Sequence, residues 1–169
     1  MKKITARELV EMGLLGGATF AAKLAMSPLP NIEPVSLMVM LLAVTYGKKA
    51  IYPIYVYVLL ELMIYGVNLW NLVYLYIWLL LAIPAYWLRN MEGRLGWAIL
   101  SGGFGLLFGL LCAPVYIVTG GPRMAVSAWV SGIPYDVIHC VGNFIIAFVL
   151  FQPLRKLLRK LKGGQWTAR

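Results

Sequence analysis

Residues 131–150 read SGIPYDVIHCVGNFIIAFVL, and this stretch runs apolar for about a membrane thickness before meeting the basic tail QPLRKLLRKLK. Gly132 and Pro134 mark a helix start, because proline's fixed φ suits a first turn. Asp136, His139, Cys140 and Asn143 follow at i, i+3, i+4 and i+7, so they share one helix face. Ionisable groups are costly in hydrocarbon and normally turn toward a bundle interior or a wet cavity. A spanning helix with a polar stripe in its first half points to a binding site.

The composition agrees with a membrane setting. The chain has 169 residues, 62% hydrophobic and 12% charged, where a soluble domain has roughly 25% charged and about 45–50% apolar residues. The formal charge of +9 is explained by Lys and Arg collecting in cytoplasmic loops rather than by nucleic acid. Cys112 and Cys140 both sit in apolar segments and read as small buried hydrophobes, with no disulfide framework. No cleavable signal peptide is expected, since the first apolar run holds Glu11 and Lys23 and resembles a helix that stays.

Working outward, six apolar segments can be drawn: 6–27, 34–46, 51–65, 70–88, 95–118 and 133–151. All are helical by necessity, because backbone polar groups in lipid must be satisfied within the segment. The expected fold is an all-α membrane protein, a six-transmembrane-helix bundle forming one integral membrane domain over 1–169, with a basic tail at 152–169. The second segment falls short of the roughly 20 residues of a full crossing, so the preceding SPLPNIE is expected to dip into the protein. An even number of crossings puts both termini on one side. One face then holds thirteen of the fifteen Lys and Arg, and the other holds only Lys23 and Arg123, so both termini are expected to be cytoplasmic.

That orientation sorts the polar residues. Lys23, Asn31, Glu33, Glu61, Asn68, Asn71, Arg123, Asp136 and His139 fall in the outer half or outer loops, and Asn143 near the midplane. A few polar groups in an apolar cup suit a small ligand. Glu61 shares a face with Tyr57 and Tyr65 and is either a ligand contact or the partner of Lys23. Asp136 either meets ligand or ties down the outer loop through Arg123. His139 is a ligand contact or a hydrogen-bonded core histidine, and Asn143 a contact or a bridge between helices. Trp70, Asn71, Tyr74 and Trp78 line a face of the fourth helix; Tyr74 and Trp78 are deep enough to stack on a ring. Trp129 lies in the expected last outer loop and, like Trp70, also suits an interfacial belt. Tyr116 is placed to close the pocket, and Glu33 completes the candidate set.

In the first helix Gly13, Gly17, Ala21 and Ala25 recur every four residues beside the pair Ala18 and Ala22. Small residues at this spacing let another helix approach closely in lipid, either within this chain or from another subunit. With this stripe, LPNIEPVSLMV at 29–39 followed by YGKK, and SGIPYDVIHCVGNF at 131–144 followed by PLRKLLRKL, the chain resembles the substrate-binding S components of energy-coupling factor (ECF) transporters. The resemblance runs in order along nearly the whole chain. It implies a bacterial plasma-membrane, multi-pass subunit that binds a vitamin or related nutrient near the outer surface. It further implies docking through the small-residue face on a transmembrane coupling subunit driven by two ATP-binding subunits. The absence of GxxxxGK[ST] from this sequence places ATP on partner chains, and no cofactor or metal is expected.

Other classes fit less well. His139-xxx-Asn143 matches one element of intramembrane CAAX-type proteases, but the adjacent glutamates and second histidine of that chemistry are missing, so no enzyme is expected. Metal capture wants several His or Cys donors. A stand-alone pore wants polar residues along the whole path, whereas polarity here stops near Asn143. GGFGLLFG at 102–109 reads as close helix packing, not a nucleotide loop. The aromatic outer half favours a planar ligand and the acids at 33, 61 and 136 a neutral or cationic one. Thiamine-like compounds, corrinoids, queuosine-type bases and amino acids all remain open.

Overall fold

The structure, a computed structural model, describes residues 4–29 and 32–164. Asn31, Lys2, Lys3 and the tail beyond residue 164 lie outside the described residues. Among these residues there is helix and no strand. Helix α1 (Ala6–Met26) opens with a capping box: the Thr5 hydroxyl accepts from Glu8 N at 3.2 Å while the Glu8 carboxylate accepts from Thr5 N at 3.1 Å. Helix α2 (Val35–Tyr46) ends at Gly47, whose φ of 59° leads into a 3-10 turn over Gly47–Ala50 and then α3 (Ile51–Tyr65). Asn68 caps α4 (Leu69–Trp87), accepting from Asn71 N at 3.1 Å.

The C-terminal half departs from expectation. The segment expected over 95–118 is divided into α5 (Arg94–Leu106), a short α6 (Phe108–Leu111) and the start of α7 (Ala113–Gly164). Residues 119–132, expected as an outer loop, are helical apart from Gly121, whose φ of 80° and ψ of 175° kink α7. A left-handed φ is cheap for glycine alone, and Pro122 then starts the final helical run as Pro134 was expected to. Pro134 instead lies inside α7. Trp129 therefore stands on a helix, not in a loop, and is exposed.

By length and composition, four helical runs among the described residues can cross a membrane: Ala6–Met26, Val35–Tyr65, Leu69–Trp87 and Ala113–Lys162. Helix α2 is apolar from Val35 through Ala43 except for Ser36, and all of this run but Met38 is buried. A helix without a solvent-facing polar side belongs at the centre of a bundle, and α2 packs against α1, α4 and α7. Being enclosed by other helices, it works with only 12 residues.

Polar contacts tie the bundle at two ends. At one, Lys49 pairs with Glu8, and Tyr46 OH donates to Glu11 at 2.6 Å. There too Lys162 donates to the Thr45 carbonyl at 2.6 Å. Arg155, 4% exposed, donates to the carbonyls of Met91 (2.8 Å) and Arg89 (2.5 Å) and lies over the Trp97 ring, which stacks on Phe151 at 4.2 Å. At the other end, Lys23 meets Glu61 and Glu33 meets His139. Glu8 and Lys23 lie fifteen residues apart on α1, roughly 22 Å at 1.5 Å per residue, and their partners Lys49 and Glu61 bracket α3. Helices α1 and α3 thus run parallel.

Gly102, Gly105 and Gly109 are explained by α7. A Cβ on Gly102 would lie 3.2 Å from the Cys140 carbonyl oxygen, one on Gly105 2.8 Å from that of His139, and one on Gly109 2.5 Å from Asp136 Oδ2. This ridge brings the α7 backbone down onto α5 and sets the polar stripe at its height, the close packing expected of GGFGLLFG.

Candidate ligand pocket

The Lys23–Asp136 end of the bundle holds a cavity of about 760 Å³. Its walls come from the end of α1 and the loop after it, α3, α4, the α5–α7 turns and α7. Eight of the eleven candidate residues line it: Glu33, Glu61, Asn71, Tyr74, Trp78, Tyr116, Asp136 and His139. Arg123, Trp129 and Asn143 do not.

Each carboxylate is held differently. Glu33 precedes α2 and accepts from the backbone N–H of Val35 and Ser36, the Ser36 hydroxyl (2.6 Å) and the His139 ring (3.2 Å). Burial works against its charge, but the His139 ring and Ser36 outweigh burial and hold the carboxyl below its ordinary value. Glu61, 2% exposed, takes Lys23 Nζ on Oε2 at 2.6 Å, while its Oε1 has no hydrogen-bond partner. Lys23 lies 5.1 Å from the Tyr65 ring centre and 5.4 Å from that of Tyr74. Asp136 accepts from Gly109 N at 3.0 and 3.2 Å on its two oxygens rather than pairing with Arg123, which is exposed. The break between α5 and α6 frees this amide, since a helix start leaves N–H groups without intrahelical partners.

Aromatic rings form the deeper wall. Trp78 meets Tyr74 at 5.2 Å and Tyr57 at 5.9 Å, both edge-to-face, and its indole N–H is buried with no partner. Phe108 sits edge-on to His139 at 5.0 Å. Asn143, 1% exposed, donates to the Ser36 hydroxyl at 3.0 Å. It bridges α7 and α2 beneath the pocket, the helix-bridging alternative of the sequence reading. Asn71 lines the cavity while its amide ties the turn before α4 through the Gly66 carbonyl. Two further polar residues stand at the site, Ser36 and Lys23. Ser36 carries no sequence signal beyond lying three residues after Glu33, and the sequence marks Lys23 as a partner for Glu61.

The stripe on α1 faces away from this cavity. Ala18, Ala21 and Ala25 are exposed, and a Cβ on Gly13 or Gly17 would meet nothing within 4 Å. Met12, Gly16 and Thr19 are buried instead, and at Gly16 the neighbour is α3: a Cβ there would lie 2.6 Å from the Val56 side chain. Ala22 is half-buried between the two faces.

The arrangement can hold a small molecule between acids and aromatic rings. Among the described residues no group of three or more His, Cys, Asp or Glu side chains converges as a metal set. Comparison with protein-family models, curated proteins and solved structures finds no match to this chain.

Proposed function

We propose that this chain is the substrate-binding membrane subunit of an ECF-type importer. It takes a vitamin-like organic nutrient into the cavity and docks on a transmembrane coupling subunit driven by two ATP-binding subunits. The observation that carries this reading is the cavity, which gathers three carboxylates, a lysine and a histidine with aromatic rings at one end of the bundle. Its volume of about 760 Å³ lies within the roughly 300–1,000 Å³ of small-molecule sites. Contacts at the two ends support six passes, with helices alternating between the Arg155 end and the Asp136 end, both termini at the former. With its surplus of Lys and Arg that end is cytoplasmic, which turns the cavity outward in a bacterial plasma membrane. The outward-facing stripe Gly13, Gly17, Ala18, Ala21 and Ala25, flanked by Ala22, serves as the docking face.

Two measurements test this. Mass spectrometry of the protein purified from its native membrane should find a small organic molecule bound in simple stoichiometry. Gly17→Trp and Ala21→Trp should abolish cellular uptake of that molecule while leaving its binding intact. Uptake that survives both substitutions refutes the docking face, and a protein that carries and binds no small molecule refutes the function.

A further inference from the structure

The charges and the unpartnered polar atoms of the cavity go further than its shape. Glu33, Glu61 and Asp136 face it, and Lys23 is the single Lys or Arg in its wall among the described residues. Lys23 and His139 answer Glu61 and Glu33, and Asp136 accepts only a backbone N–H from Gly109. Glu61 Oε1 is left an acceptor without a donor, and Trp78 Nε1 a donor without an acceptor, on side chains each 2% exposed. Buried polar atoms without partners are costly, and both residues line the cavity. The rings beside them already hold a cation, since Tyr65 and Tyr74 flank the Lys23 ammonium.

Resting on the reading of this cavity as a ligand site, we propose that its ligand is a planar, positively charged nitrogen compound. Its N–H groups donate to Glu61 Oε1 and toward Asp136, its ring lies against Tyr74 and Trp78, and an acceptor atom on it takes the Trp78 indole N–H. An anionic ligand would add its charge to three carboxylates facing one lysine, and like charges brought together are strongly disfavoured. A neutral apolar ring would leave Glu61 Oε1 and Trp78 Nε1 unsatisfied.

The test uses the full chain in lipid nanodiscs and three flat probes of similar size: benzamidinium, benzoate and benzyl alcohol. Binding is read by tryptophan fluorescence and by the shift in unfolding temperature. Benzamidinium should bind saturably, and more tightly than the other two. Glu61→Gln and Asp136→Asn, which keep side-chain size, should each weaken it by about tenfold, on the scale of one charged hydrogen bond. Unfolding of each variant without probe establishes that it is folded. Benzoate binding as well as benzamidinium, benzamidinium binding unchanged in both variants, or no saturable binding of benzamidinium overturns the assignment. The importer reading is judged separately: an anionic or neutral co-purifying molecule refutes the cationic class and leaves that reading standing. Cationic binding without uptake does the reverse.

Discussion

Lys23 Nζ lies 2.6 Å from Glu61 Oε2 and so fastens the end of α1 to α3 beside the cavity. Glu61 is almost fully buried and Lys23 about a quarter exposed, so loss of the lysine strands a carboxylate in a dry setting. Lys23→Met should lower stability by about 1–3 kcal/mol, below the full cost of breaking a wholly buried pair because water reaches the lysine. The double variant Lys23→Met, Glu61→Gln should recover part of that loss. Denaturation in detergent closes the cycle, and a single variant as stable as wild type removes the pair from the account.

The two faces of α1 should respond oppositely to bulk. Gly16→Val should destabilise the fold by about 1–3 kcal/mol, the usual cost of overpacking, because the space beside it is filled by Val56 and the Pro53 carbonyl. Gly17→Val meets open space and should leave the unfolding temperature nearly unchanged. Equal effects from the two changes would show that α1 is rotated from this placement.

Arg155 is expected to be structural. Its guanidinium holds two carbonyls of the α4–α5 connection, and Arg155→Ala should cost about 1–3 kcal/mol by taking the donor from the Arg89 carbonyl, while Met91 keeps the Trp97 indole N–H at 3.0 Å. Arg155→Lys should rescue only part of this, since one ammonium cannot reproduce the planar fork. Thermal unfolding of the three proteins ranks them, and full rescue by lysine would mean that charge alone matters.

Acid should loosen the start of α2. The Glu33 carboxyl is held below its ordinary value of 4.5 by His139 and Ser36, against the opposing effect of burial. A group depressed on folding contributes stability that is complete above its ordinary value and is lost as pH falls through the depressed one. The unfolding temperature of wild type should therefore fall more steeply than that of Glu33→Gln across the acidic range. Parallel curves would show that Glu33 does not titrate with folding.

Much of this architecture was legible in residue spacing. The stripe of Asp136, His139 and Asn143 is buried on one face of α7, and α3 ends at Tyr65 where GVN follows it. The helix over 119–132 was not legible, because TGGP carries every local mark of a loop. One glycine with positive φ satisfied the break, and the helix resumed at Pro122. Nor could spacing tell Gly16 from Gly17, since adjacent small residues look alike until a neighbour fills the space beside one of them. The donor to Asp136 was not legible for a related reason. Sequence offers arginine side chains as candidates, whereas a backbone amide freed by a helix break has no letter of its own.

That amide belongs to Gly109, where a methyl group would lie 2.5 Å from the Asp136 carboxylate. Position 109 is therefore a lever on a residue it does not resemble. Gly109→Ala would force the carboxylate off its donor without deleting any charge, so a position with no side chain of its own governs where that acid stands while every acid stays in the chain.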